Sequence, residues 1–159
     1  MEIRTCAFTG HRDIANAHLE PLTLQLDAAI TAFYNLGCRT FFAGGARGFD
    51  TLAAERVLLY RKSHPDVALQ LLLPCRDQMR GWVREDVARA RAVLEAADSV
   101  RYLRESYTPT AMAERNRALV AAAEGCIAYV LRFASGGGQT LRLAEKKGIP
   151  VINLALRME

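Results

Sequence analysis

Three short stretches of the chain gather residue types that hold anions. Thr9-Gly10-His11-Arg12 places a hydroxyl, a flexible backbone unit, an imidazole and a guanidinium within four residues. Gly44-Gly45-Ala46-Arg47-Gly48-Phe49-Asp50 and Ser135-Gly136-Gly137-Gly138-Gln139-Thr140 are rich in glycine. Glycine lets backbone N–H groups approach a phosphate with no Cβ in the way. A helix starting behind such a loop adds its unpaired N–H groups and the positive end of its dipole. One loop of this kind is also an ordinary tight turn, but two of them, accompanied by Arg47 and Thr140, point to a phosphate-bearing ligand. Gly-x-Gly-x-x-Gly does not follow the first strand, and Gly-x-x-x-x-Gly-Lys-Ser/Thr is absent. The chain is therefore neither a standard dinucleotide dehydrogenase nor a P-loop NTPase.

For these stretches to share a ligand they must lie on one edge of a sheet. Short apolar runs rich in β-formers recur at Ile3–Phe8, Thr40–Ala43, Ala68–Leu73, Ser99–Leu103, Cys126–Leu131 and Val151–Leu154. Segments of helical period fit between them: Leu19–Leu36, Asp50 or Thr51 to Ser63, Trp82–Ala97, Pro109–Ala123 and Gln139–Lys147. The alternation predicts an α/β fold, one domain over 1–159, with an open, mainly parallel sheet of about six strands and helices on both faces. In such sheets ligands bind beyond the carboxyl ends of the strands, where all three stretches fall.

The chain has 159 residues, 51% hydrophobic and 24% charged, which excludes disorder, collagen-like repeats and a disulfide miniprotein. No apolar run approaches the roughly 18 residues of a membrane span, and Met1–Thr9 carries Glu2 and Arg4 rather than a leader. Cys6, Cys38, Cys75 and Cys126 stand far apart without a Cys-x-x-Cys pair or a histidine cluster. They read as small buried hydrophobes in a reducing cytoplasm, and no metal is expected. A net charge of +4, carried mostly by arginine, favours anionic partners.

The blocks Thr9-Gly10-His11-Arg12, Gly44 through Glu55, Gln78 with Trp82, Arg115-Asn116, and Ser135-Gly136-Gly137 with Thr140 resemble the YpsA family. That family belongs to the SLOG group of Rossmann-like domains, alongside the bacterial DNA-processing protein DprA and the Lonely Guy enzymes. The resemblance spans Ile3 to Leu154 and implies a nucleotide-like ligand at the carboxyl edge of the sheet. One departure concerns catalysis. Lonely Guy enzymes carry Pro-Gly-Gly-x-Gly-Thr-x-x-Glu, and aligning Thr140 with its threonine puts Ser135 at the proline and Leu143 at the glutamate. Leucine cannot move a proton, so hydrolysis by that route needs another acid, Asp50 or Glu55.

The expected ligand residues are then Thr9, Gly10 and Arg12; Gly44, Gly45, Arg47, Gly48 and Asp50; Asn116; and Ser135, Gly136, Gly137, Gly138 and Thr140. Asp50 suits either a ribose hydroxyl or the cap of the second helix, and Thr140 either a phosphate or a cap. His11 is an acid–base candidate or a hydrogen-bonding bystander, and Glu55 reads as structural. Tyr107-Thr108-Pro109 offers a wall for a base. Three functions fit, in order: binding of an AMP-, ADP-ribose- or NAD-like molecule as a sensor or regulatory module; glycosyl hydrolysis of such a nucleotide; and single-stranded nucleic-acid binding. The face Val87, Ala90, Val93 and Leu94 either covers the sheet or joins a homodimer. The cofactor is left unspecified.

Overall fold

A computed structural model describes residues 2–158; Met1 and Glu159, the ends of the expected domain, lie outside the described residues. The strands are β1 (Thr5–Gly10), β2 (Thr40–Ala43), β3 (Ala68–Cys75), β4 (Ser99–Arg104), β5 (Gly125–Tyr129) and β6 (Val151–Asn153). The helices are α1 (Asn16–Asn35), α2 (Phe49–Ser63), α3 (Arg84–Ala96), α4 (Ala111–Ala122) and α5 (Gly136–Lys147), with a short 3₁₀ turn at Leu154–Arg157.

The six strands form one open sheet in the order β4-β3-β2-β1-β5-β6, and every pairing is parallel. Parallel strands need both faces covered, so the inner ones read as continuous apolar runs. In β1, Cys6 and Phe8 join Leu26, Ile30, Phe33 and Phe41 in the larger core cluster. Ala7 points to the opposite face, where it meets Leu72, Leu119 and Ala123. The first face takes α1, α2 and α3; α4 crosses β1 to β4 on the second, and α5 covers β1, β5 and β6. Each fully buried side chain of this kind contributes roughly 1.5–3 kcal/mol. On the α3 face Ala90 and Val93 are buried, while Val87 and Leu94 are half-buried. No helix of the described residues is long and apolar enough to cross a membrane.

All five helix starts differ from expectation by one to three residues: α1 begins at Asn16 rather than Leu19, α2 at Phe49 rather than Asp50 or Thr51, and α4 at Ala111 rather than Pro109. α5 begins at Gly136, not Gln139, because Ser135 caps it: its Oγ accepts from the Gly138 amide at 3.1 Å. α3 begins at Arg84, not Trp82, after a run of turns. The four cysteines are free and buried, and burial pushes the thiols of Cys38 and Cys126 up to about 12.

Candidate functional site

The chain runs from β1 outward to β2, β3 and β4, then returns to lay β5 and β6 on the other side of β1. The switch point is the gap above β1 and β5, where the loops leave in opposite directions and open a crevice. A cleft of about 260 Å³ occupies it, walled by the β1–α1 loop, the start of α2, one face of α4 and the start of α5.

His11 fixes the floor. The imidazole is 5% exposed, and its Nε2 accepts from the Leu131 amide at 2.7 Å and the Arg132 amide at 3.3 Å. Two N–H donors on Nε2 require a lone pair there, so the neutral ring carries its hydrogen on Nδ1. The side chain is thus a latch tying the end of β1 to the chain beyond β5. Burial, aided by the neighbouring Arg132 cation, lowers its pKa. The folded protein therefore rejects a proton that the unfolded chain accepts: stability is intact above the ordinary histidine value and declines as pH falls through that value toward the lowered one. Urea unfolding should show this slope as pH falls below the ordinary histidine value of about 6.5, and His11→Gln, which accepts the same amides without titrating, should flatten it. An unchanged slope in the variant would refute the latch.

The α4 wall follows from helical spacing. Ala111, Arg115 and Leu119 stand four residues apart in one buried stripe. Arg115 is thereby driven under the cleft, 6% exposed. Its Nη1 donates to the Gly44 carbonyl and its Nε to Asn116 Oδ1 at 2.9 Å, which orients the Asn116 amide at the cleft wall. A Cβ on Gly44 would stand 2.6 Å from Arg115 Nη1, so this contact needs glycine. Asp50, 5% exposed, faces the same space. It does not cap α2, whose cap is Gly48; Asp50 Oδ2 reaches back to accept from the Ala46 amide at 3.2 Å. Burial raises the Asp50 carboxyl above the usual range, and the nearby Arg115 and Arg12 cations pull it part of the way back.

The opposite end suits an anion. The first amides of a helix have no intrahelical acceptor, and the Ser135 cap takes that of Gly138, so the Gly136 and Gly137 amides have no acceptor among the described residues. Arg12 and Arg132 line the same cleft, both exposed, and among the described residues neither forms an ion pair. Arg12 Nη2 reaches only Met112 Sδ, at 3.7 Å.

Of the residues expected to meet a ligand, Thr9, Gly10, Arg12 and Asp50 come together here with Asn116, Ser135, Gly136 and Gly137. The others stand elsewhere. Arg47 pairs with Asp13 at 2.8 Å and borders a neighbouring groove. Gly45 accepts from Gln78 Nε2 at 2.9 Å. Gly48 packs on the Arg12 backbone and Gly138 on the Phe133 carbonyl. Thr140 is buried and donates to the Gly136 carbonyl at 3.1 Å. Glu55 pairs with Arg89 away from the cleft. Sequence reading overlooked Arg132; a basic residue three places before a Ser-Gly-Gly helix start was the signal. Among the described residues no group of three metal-ligating side chains stands together.

A family model for YpsA, described as the YspA SLOG family, matches residues 8–134. No curated protein matches the chain. Among solved structures, DNA processing protein A from Helicobacter pylori, described with a single-stranded DNA binding mode, aligns at TM-score 0.64 and 20% identity over 93% of this chain and 63% of that one. DNA processing protein A from Streptococcus pneumoniae gives TM-score 0.65 and 15% identity over 93% of this chain and 49% of that one. The structural-genomics target TM1055 gives TM-score 0.59 and 14% identity over 93% and 72%. The chain thus spans less than two thirds of either DNA processing protein, and at these identities the likeness is one of fold.

Proposed function

The chain belongs to the YspA SLOG family, and from that premise we propose that it binds a nucleotide or nucleotide-derived molecule in the cleft at the switch point. The carrying observation is the meeting of two guanidiniums without acidic partners among the described residues, Arg12 and Arg132, with the open amides of Gly136 and Gly137. A phosphate placed there gains charge-assisted hydrogen bonds and the α5 dipole together. Asp50 and Asn116, across the cleft, supply the acceptor and amide that a ribose or base edge requires. The reading is one of binding, with occupancy of the cleft reported to a partner or to a second copy of the chain as a sensor would.

A thermal-shift panel of AMP, ADP-ribose, NAD and a short oligodeoxythymidine, at low and high salt, tests it. A ligand at about 100 times its Kd adds about 2.7 kcal/mol, which in a domain of this size raises the midpoint by about 5–10 °C. A salt-resistant rise with one nucleotide class is expected; no rise with any nucleotide would refute the reading.

Asp50 supports a second reading, N-glycosidic hydrolysis, since it is the one carboxyl lining the cleft among the described residues and burial favours its protonated form. Release of ribose 5-phosphate from AMP, lost in Asp50→Asn, would establish it. The single-stranded DNA mode described for one structural neighbour makes nucleic-acid binding the third reading, marked by a thermal shift that salt abolishes.

A further inference from the structure

Beside the cleft lies a larger groove of about 640 Å³, and the two share Arg12 and Met112. It sits above β3 and β4, built from the turns after β3 and the loop after β4. Its chemistry differs from that of the cleft. Trp82 and Tyr107 offer two aromatic surfaces, the second 60% exposed. Asp77 and Asp86 add carboxylates, Arg80 adds a guanidinium, and Arg47, paired with Asp13, stands at the border with the cleft. In the same wall Gln78 donates through Nε2 to the Gly45 carbonyl, which fixes the amide and leaves Oε1 as a buried acceptor with no partner.

The gradient along the sheet edge therefore runs from open amides and unpaired guanidiniums, through Arg12, to aromatic rings flanked by acceptors. An anion is favoured at the first end, whereas at the other two carboxylates, Asp77 and Asp86, stand against the guanidinium of Arg80. Aromatic faces and carboxylate acceptors suit a base and its sugar hydroxyls. The span from β5 to β4 covers four inter-strand steps, about 19 Å at a spacing of about 4.8 Å, longer than one nucleoside monophosphate. Resting on the reading of the cleft as a phosphate site, we infer that the ligand is two-headed: its phosphate or pyrophosphate passes Arg12, and a second nucleoside lies in the groove against Trp82 and Tyr107. A continuous single strand fits less well, because its next phosphates would meet two carboxylates, Asp77 and Asp86, against the one further guanidinium of Arg80.

Calorimetric titration with the nucleoside 5′-monophosphates of A, G, C and U, and with the pyrophosphate-linked dimers of the same nucleosides, tests the inference. One dimer should bind about five- to 150-fold tighter than its monophosphate, the gain expected from stacking one base on an aromatic side chain. Trp82→Ala and Tyr107→Ala should each remove most of that gain while the monophosphate binds as before. Tyr107 is exposed, so its variant tests the groove even if Trp82→Ala fails to fold. Equal affinity for monophosphate and dimer would overturn the second site while sparing the cleft. Binding of neither would overturn both. Tighter binding of an oligodeoxythymidine than of any dimer, lost in salt, would overturn the two-headed ligand in favour of a nucleic-acid strand.

Discussion

Replacing Arg12 and Arg132 together by Gln is expected to weaken nucleotide binding by about two to three orders of magnitude. A hydrogen bond to a charged group contributes about 1.5–3 kcal/mol, and about 1.4 kcal/mol is tenfold in affinity. The two guanidiniums would serve one phosphate, so their losses fall short of the simple sum. Stability should hardly change, since both side chains are exposed and form no ion pair among the described residues, and such surface changes stay within about 0.5 kcal/mol. The histidine at position 11 supplies an internal check. Part of its lowered pKa comes from the Arg132 cation, so in the double variant its titration moves back toward the ordinary value. Isothermal titration and urea unfolding of the same samples separate the effects. Unchanged affinity would remove the anion site, and a large loss of stability would mean that the arginines hold the fold.

Gly48→Ala is expected to cost about 3–5 kcal/mol of stability and to lower the thermal midpoint by about 10 °C or more. Gly48 has φ 78 and ψ −124, a conformation hostile to any side chain, and a Cβ there collides with the Arg12 carbonyl. That clash is with main chain, which no rotamer change relieves. It also lies where the Phe49 amide donates to the His11 carbonyl at 3.1 Å, a bond that joins the β1–α1 and β2–α2 loops beside the Arg47–Asp13 pair. Gly136→Ala is the contrasting control. Its added Cβ meets nothing within 4 Å, and alanine in a helix is favoured over glycine by up to about 1 kcal/mol. Thermal unfolding of the two variants should move in opposite directions. A mild effect of Gly48→Ala would show that the loops can separate freely and that the cleft is not held by their contact.

The sheet was readable because its physical signals are local. Thr40–Ala43 alternates buried Phe41 and Ala43 with half-buried neighbours and ends at glycines, so periodicity and turn chemistry agree. The start of α5 was not readable in the same way. Three successive glycines disfavour a helix by about 1 kcal/mol each, and propensity pushed the boundary to Gln139. Tertiary contacts reversed that: Ser135 caps the turn and Gly138 lies against the Phe133 carbonyl, where no other residue fits. The same shift placed Arg132 just ahead of a helix N-terminus and made it part of the site. Arg115 was marked by its motif, but its burial was hidden because arginine is rarely enclosed; the 111, 115, 119 stripe was the available clue. Asp50 was expected to cap or to bind. A cap at Gly48 removed the first role, since Asp50 then falls inside α2 and turns back to the Ala46 amide. The glycines of the first rich loop were visible as a motif, whereas their use in packing against Arg115 and Arg12 depends on segments distant in the chain.

A phosphate is expected on the open amides of α5, between Arg12 and Arg132. Amide nitrogen–proton NMR correlation spectra recorded during titration with AMP, and separately with inorganic pyrophosphate, test it most directly. The predicted result is that the Gly136 and Gly137 resonances move most, downfield as their N–H groups acquire a charged acceptor, and that Arg12→Gln with Arg132→Gln abolishes the movement. Saturable shifts confined to other residues, with Gly136 and Gly137 unmoved, would mean that the phosphate binds elsewhere.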